Sequence, residues 1–272
     1  MRLSVRGLSV ELGGRTIIDD AGFVAMGGDL IGLIGANGVG KSTLIRAVAG
    51  LLPTRAGTVE IDGRPVARAH ARARAQAMAY LPQGQNVHWP LSVAHLVALG
   101  RIPHLQPFSR MAEGDRIAVD AAMARTQVDH LGERVVTTLS GGERARVLLA
   151  RALAVEAPIL LADEPVASLD PHHQLQVMEL LRASARDGAL VIAVLHDLAL
   201  AARFCDRLLL MHDGGILADG PPAEVLAAPH LARAYAIEGL HGQHEAQGWV
   251  LPWRRLPPPP QEPSAHAETR PR

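Results

Sequence analysis

Gly35-Ala36-Asn37-Gly38-Val39-Gly40-Lys41-Ser42-Thr43 decides how this chain is read. The stretch fits G-x-x-x-x-G-K-S/T, a pattern that arises by chance in roughly 1 in 100 chains of this length at ordinary glycine usage. Its chemistry is phosphate binding. Gly35, Gly38 and Gly40 let the backbone curl, so that N–H groups from Asn37 to Thr43 point at anionic oxygens at the start of a helix, where the helix dipole also favours negative charge. Lys41 is the one lysine among 27 Lys and Arg residues. A compact ammonium on a flexible stem reaches the β- and γ-phosphates of a nucleotide, and the Ser42 hydroxyl suits Mg2+.

The flanks of this loop set the fold class. Leu30 to Gly35 is a near-continuous apolar run, and Ser42 to Ala49 follows as a helix. Pro158 to Asp163 and Leu190 to His196 repeat the strand pattern, and Gln174 to Arg186 places Leu175, Met178 and Leu181 at helical spacing. Apolar runs without alternation mark parallel strands covered on both faces, with their chemistry at the carboxyl ends. The prediction is therefore an α/β phosphate-loop NTPase core. Residues 1–26 and 57–66 alternate instead, with turn signals at Gly13-Gly14 and Asp62-Gly63, and predict an antiparallel β subdomain. Residues 84–155 are helical by pattern and interrupted by Pro90, Pro103 and Pro107, which predicts an inserted helical subdomain. One folded domain is expected over 1–245, and the Pro-rich polar tail at 257–272 is expected to be disordered.

Bulk properties narrow the classes. Hydrophobic residues make up 48% and charged residues 20%, which excludes a disordered chain. Formal net charge is zero, so no nucleic-acid partner is expected. The single cysteine, Cys205, suits a reducing compartment. Strand-like alternation from Met1 predicts no signal peptide, and the apolar runs fall well short of the ~20 residues of a membrane span.

Two further motifs carry chemistry. Ile159 to Asp163 delivers Asp163 and Glu164 at a strand end; Asp163 fits a Mg2+ role through water, and Glu164 fits a base that orients or deprotonates attacking water. Leu139-Ser140-Gly141-Gly142-Glu143 opens a second helix whose free N–H groups and Ser140 hydroxyl form a second anion site. One nucleotide cannot occupy two separate cradles of one chain unless a second chain supplies one of them.

With these motifs in this order, the sequence resembles the ATPase subunit of ABC transporters over roughly residues 1–225. The resemblance implies that Ser140, Gly141 and Gly142 contact ATP held by a second copy across a head-to-tail dimer. It implies that Gln83 contacts Mg2+, with Ser42 and Asp163 as the other metal residues, and couples to a membrane permease. Asp170 then crosses the dimer, His196 contacts the γ-phosphate, and Glu164, His196 and Lys41 form the catalytic set. The expected cofactors are ATP and Mg2+. The expected partners are a second copy, transmembrane permease subunits and, indirectly, a substrate-binding protein, at the cytoplasmic face of the inner membrane. One departure is Leu12, which stands where the family places an adenine-stacking aromatic, so weaker adenine preference is expected.

Cargo is read from Trp89-Pro90-Leu91-Ser92-Val93 through Ala98-Leu99-Gly100-Arg101-Ile102-Pro103-His104, which resembles importers of ferric siderophores, haem and cobalamin. A ferric siderophore is favoured, with haem or cobalamin as alternatives. A non-hydrolysing nucleotide switch is the rival class, and Glu164 argues against it. Arg68, His70, Arg72 and Arg74 are read as a solvated helix face, and His241 to His244 as a surface loop without metal partners.

Overall fold

Alternate residues of each buried strand serve two different cores, which is why these runs are apolar throughout. In β3 (Leu30–Gly35), Leu30 and Ile34 join one cluster while Ile31 and Leu33 join the other. In β7 (Ile159–Asp163), Leu160 and Ala162 divide from Ile159 and Leu161 in the same way. The period of two in a strand sends neighbours to opposite faces. The computed structural model describes residues 1–84, 87–106, 109–245 and 247–257.

The chain opens with β1 (Arg2–Leu12) and β2 (Arg15–Met26), then β3 and α1 (Lys41–Val48). There follow β4 (Ala56–Ile61), β5 (Arg64–Pro65), α2 (Ala71–Ala77) and β6 (Met78–Leu81). The inserted helices are α3 (Val93–Ala98), α4 (Glu113–Arg125) and α5 (Gly141–Leu153). After β7 come α6 (Pro171–Arg186), β8 (Leu190–Val194), α7 (Leu198–Phe204), β9 (Arg207–His212) and β10 (Gly215–Gly220). The chain continues through α8 (Pro222–Val225), α9 (Ala228–Tyr235), β11 (Ile237–His244) and β12 (Gln247–Arg255).

The central sheet runs β10-β9-β3-β8-β7-β6, with β9, β3, β8, β7 and β6 parallel and β10 antiparallel at the edge. An antiparallel sheet, β2-β1-β4-β5, packs across α1 against one face, and α3 to α7 cover the other. The phosphate-loop core, the antiparallel β subdomain and the helical insertion are thus all present. The expected tail at 257–272 lies outside the described residues from 258 onward.

Three local readings change. The third buried strand stops at Val194, so His196 sits in the loop before α7 rather than on the strand. His241 to His244 is not a loop but the end of β11, paired with β12. Gly242 in that strand faces Trp249 so closely that a Cβ would stand 2.0 Å from the indole, which accounts for a glycine inside a strand. The basic helix is only partly a solvated face. Arg72 Nε and Nη2 donate to the carbonyls of Pro103 and His104 at 2.9 Å, and Gln76 donates to Pro103 at 2.8 Å. This pins the loop after α3 to α2, directly ahead of β6.

Candidate functional site

Strand ends and helix starts meet at the carboxyl edge of the parallel sheet. Gly40 begins α1 at φ 105°, and a Cβ there would stand 2.7 Å from Ile18 Cδ1. Gly35 ends β3 at φ 149°, with Met211 O 2.6 Å from any added Cβ. Both positions exclude side chains, so the loop can wrap tightly between its strand and helix.

A cavity of about 680 Å3 opens over this loop. Asn37, Gly38, Gly40, Lys41, Ser42 and Thr43 form one wall, and Gln83, Glu164 and His196 come from three other loops. Leu12 and Ile17 close the side toward the antiparallel sheet. Lys41 is 5% exposed, and its Nζ donates to Gly35 O at 2.8 Å and Ala36 O at 2.9 Å. An ammonium has three donors, so one remains for an anion. Burial pulls the Lys41 pKa below the ordinary lysine value, while Glu164 and Asp163 oppose that shift.

Asp163 is fully buried at the end of β7. Ser42 Oγ donates to its Oδ1 at 2.8 Å, Tyr80 OH donates to Oδ2 at 3.0 Å, and Arg46 lies 3.6 Å from Oδ2. Arg46 and Tyr80 were not read as site residues from the sequence, although Tyr80 stands in the same Tyr80-Leu81-Pro82-Gln83 stretch as Gln83. The donors of Ser42, Asp163 and Gln83 are all oxygens, the hard set that Mg2+ takes. Among the described residues no group of three His, Cys, Asp or Glu side chains is placed to hold an ion.

Glu164 adopts φ 54°, a left-handed conformation costly for a residue with a side chain. The turn redirects the chain after β7, and the Glu164 carboxylate meets His196, whose Nε2–H donates to Oε1 at 2.7 Å. The next residue, Asp197, caps α7 by accepting from Ala199 and Leu200 N–H groups at 2.8 and 2.9 Å. A carboxylate oriented by an imidazole beside a phosphate loop is arranged to position and deprotonate water.

Ser140, Gly141, Gly142 and Asp170 do not line this cavity. Ser140 caps α5: its Oγ accepts from Glu143 N–H at 3.3 Å, and Glu143 Oε2 accepts from Ser140 N–H at 2.8 Å. This reciprocal box uses two of the free N–H groups and leaves those of Gly141 and Gly142, with the Ser140 hydroxyl hydrogen, for an anion. Asp170 caps α6, accepting from His173 N–H at 3.1 Å.

Comparisons with known proteins bear on the family and the fold. A family model described as ABC transporter matches residues 18–167. The cobalamin import ATP-binding protein BtuD of Halobacterium salinarum is 44% identical over 271 residues, covering 99% of this chain and 66% of its own length. The hemin import ATP-binding protein HmuV of Streptomyces coelicolor is 46% identical over 229 residues, covering 84% of this chain and 81% of its own. Among solved structures, an inward-facing metal-chelate type ABC transporter superposes with TM-score 0.81 at 25% identity, covering 93% of this chain and 97% of that one.

Proposed function

Since the chain belongs to the ABC transporter family, we propose that it is a Mg2+-dependent ATPase subunit energising a membrane permease that imports a metal chelate. The observation that carries hydrolysis is the Glu164–His196 pair at 2.7 Å, facing the cavity that Lys41 and the phosphate loop enclose. ATP supplies the phosphoanhydride whose cleavage drives the cycle, and a bound Mg2+ would supply charge neutralisation at its phosphates. Backbone N–H groups of Asn37 to Thr43 and the third Lys41 donor hold the phosphates. Ser42, Asp163 and Gln83 would hold the metal, and Glu164 takes the proton from water while His196 keeps the carboxylate in place. Steady-state phosphate release tests this directly. Glu164→Gln keeps the shape and removes the base, so turnover falls by about 10²-fold or more with nucleotide binding intact. Unchanged turnover in that variant would favour the nucleotide-switch reading instead.

The cognate assembly is two copies of this chain on two permease subunits, reached indirectly by a binding protein, at the cytoplasmic face. Among the described residues no helix is long and apolar enough to cross a membrane. Trp89 and Ile102 stand 72% and 59% exposed on the helical insertion, apolar surface suited to a permease partner. For cargo, the relatives named for hemin and cobalamin import favour a metal-bound tetrapyrrole at least as well as the ferric siderophore suggested by residues 89–104. Reconstitution with the cognate permease separates them. The cargo is whichever ligand-loaded binding protein (haem, cobalamin or ferric siderophore) stimulates ATP hydrolysis.

A further inference from the structure

Gly142, the second glycine of Leu139 to Glu143, has a close neighbour within its own chain. A Cβ built on it would stand 2.7, 2.8 and 2.9 Å from Cδ2, Cγ and Nδ1 of His173. Near-equal approach to three ring atoms means that the glycine lies over the face of the imidazole. The ring is itself held firmly. Its Nδ1–H donates to Asp170 Oδ2 at 2.6 Å, its backbone N–H donates to Oδ1 of the same carboxylate, and the His172 ring packs edge-on at 5.4 Å. These bonds to His173 also hold the Asp170 carboxyl below the ordinary carboxylate range. The start of α5 and the first turn of α6 therefore meet through one side chain that does not line the cavity.

We propose that His173 is a positioning residue: its ring is a plate that fixes the α5 anion cradle and Asp170 as one unit, in the register at which both reach the nucleotide held by a second copy. The inference rests on the shared-site reading above. It makes contact with the plate, rather than close approach to phosphate, the reason position 142 is glycine, because any side chain there strikes the ring.

The two reasons separate in a double substitution. Gly142→Ala collides with the ring, and His173→Ala removes the ring. Expected for His173→Ala is a kcat reduced about threefold, and for Gly142→Ala about tenfold or more, both with KM for ATP unchanged because the phosphate loop is untouched. The double variant returns to the level of His173→Ala alone. In a Glu164→Gln background, ATP-dependent dimer measured by light scattering is lost with Gly142→Ala and regained in the double variant, a readout that mere loss of stability does not produce. A Gly142→Ala protein that folds only when His173→Ala is added supports the same contact. An active wild type whose double variant stays as poor as Gly142→Ala overturns the role of His173. Wild-type protein that neither hydrolyses ATP nor dimerises overturns the functional reading first, and this inference with it.

Discussion

At the scale of single residues, the chain's one lysine and its Leu12 make opposite demands. Lys41, itself almost wholly buried, gives two donors to the Gly35 and Ala36 carbonyls, leaving one compact donor for phosphate. Arginine keeps the charge but presents a planar fork in place of that compact ammonium. Lys41→Arg should lower phosphate release at least about tenfold, and a wild-type rate in that variant would refute the assignment. Leu12 is 40% exposed and shares its wall of the cavity with Ile17. Aliphatic contact lacks the stacking energy of a ring on the purine, and among the described residues this wall offers no polar side chain to select adenine over guanine. We expect measurable GTP hydrolysis by the wild type and, in Leu12→Tyr, ATP affinity improved by about 2- to 10-fold, the range of an aromatic contact. Tight, strictly ATP-selective binding by the wild type would count against this. His196 shows how a residue can be legible while its partner is not: its position in sequence order marked it, but nothing in the sequence placed it on Glu164.

Among the elements, legibility followed burial on both faces. The strands carrying Gly35 and Asp163 were readable because every residue along them is apolar, whichever core it enters. β9 reads Arg-Leu-Leu-Leu-Met-His, without β-branched residues, and its apolar run suits a helix as well as a strand. The β11–β12 hairpin holds Gly239, Gly242, Gly248 and Pro252, residues that weaken strand propensity, and only tertiary packing on α7 and α9 makes it a hairpin. A boundary at residue 245 falls within its turn, and Val250 beyond it is buried in the larger core. The segment from Ala98 to His104 also has a structural content that its sequence did not disclose. Arg101 is buried, with Nε on Asp115 at 3.0 Å and Nη1 on Ala154 O at 2.8 Å and Glu156 at 2.7 Å. It ties the end of α3 to α4 and to the end of α5. Arg101→Ala orphans Asp115 and should cost about 2 to 3 kcal/mol, less than for a wholly buried pair because Glu156 reaches solvent. Arg101→Leu with Asp115→Leu should recover much of the loss in chemical denaturation; equal loss in both would show that the Ala154 carbonyl, not the ion pair, dominates. The hydrogen bond from Arg101 holds the Asp115 carboxyl below its ordinary value. A depressed carboxylate stabilises fully above the unfolded pKa of about 4, and its contribution is lost as pH falls through the lowered folded value.

For the whole molecule, what matters most is that the residues proposed for two anion sites do not line one cavity. Lys41, Ser42, Gln83, Glu164 and His196 share a cavity, while Ser140, Gly141, Gly142 and Asp170 lie outside its walls. If each nucleotide needs both sets, two copies must pair head to tail, and each of the two sites draws on both chains. This permits a test that no single-chain mechanism passes. A Lys41→Arg chain has a defective phosphate loop but an intact α5 cradle. A Ser140→Arg chain has the reverse, since a bulky cation replaces the capping hydroxyl at the helix start. Each variant alone forms only sites with one defective half. Mixed in equal amounts, half of the dimers are heterodimers, and each of these contains one site built from the two intact halves. Hydrolysis should return to about a quarter of the wild-type rate if sites act independently, and to less if both must fire together. Titration of one variant into the other should peak near equimolar ratio, because only the mixed dimer is active. A mixture no more active than its components would mean that each chain completes its own site, and the cradle at Ser140 would then need a different ligand from the one held by Lys41.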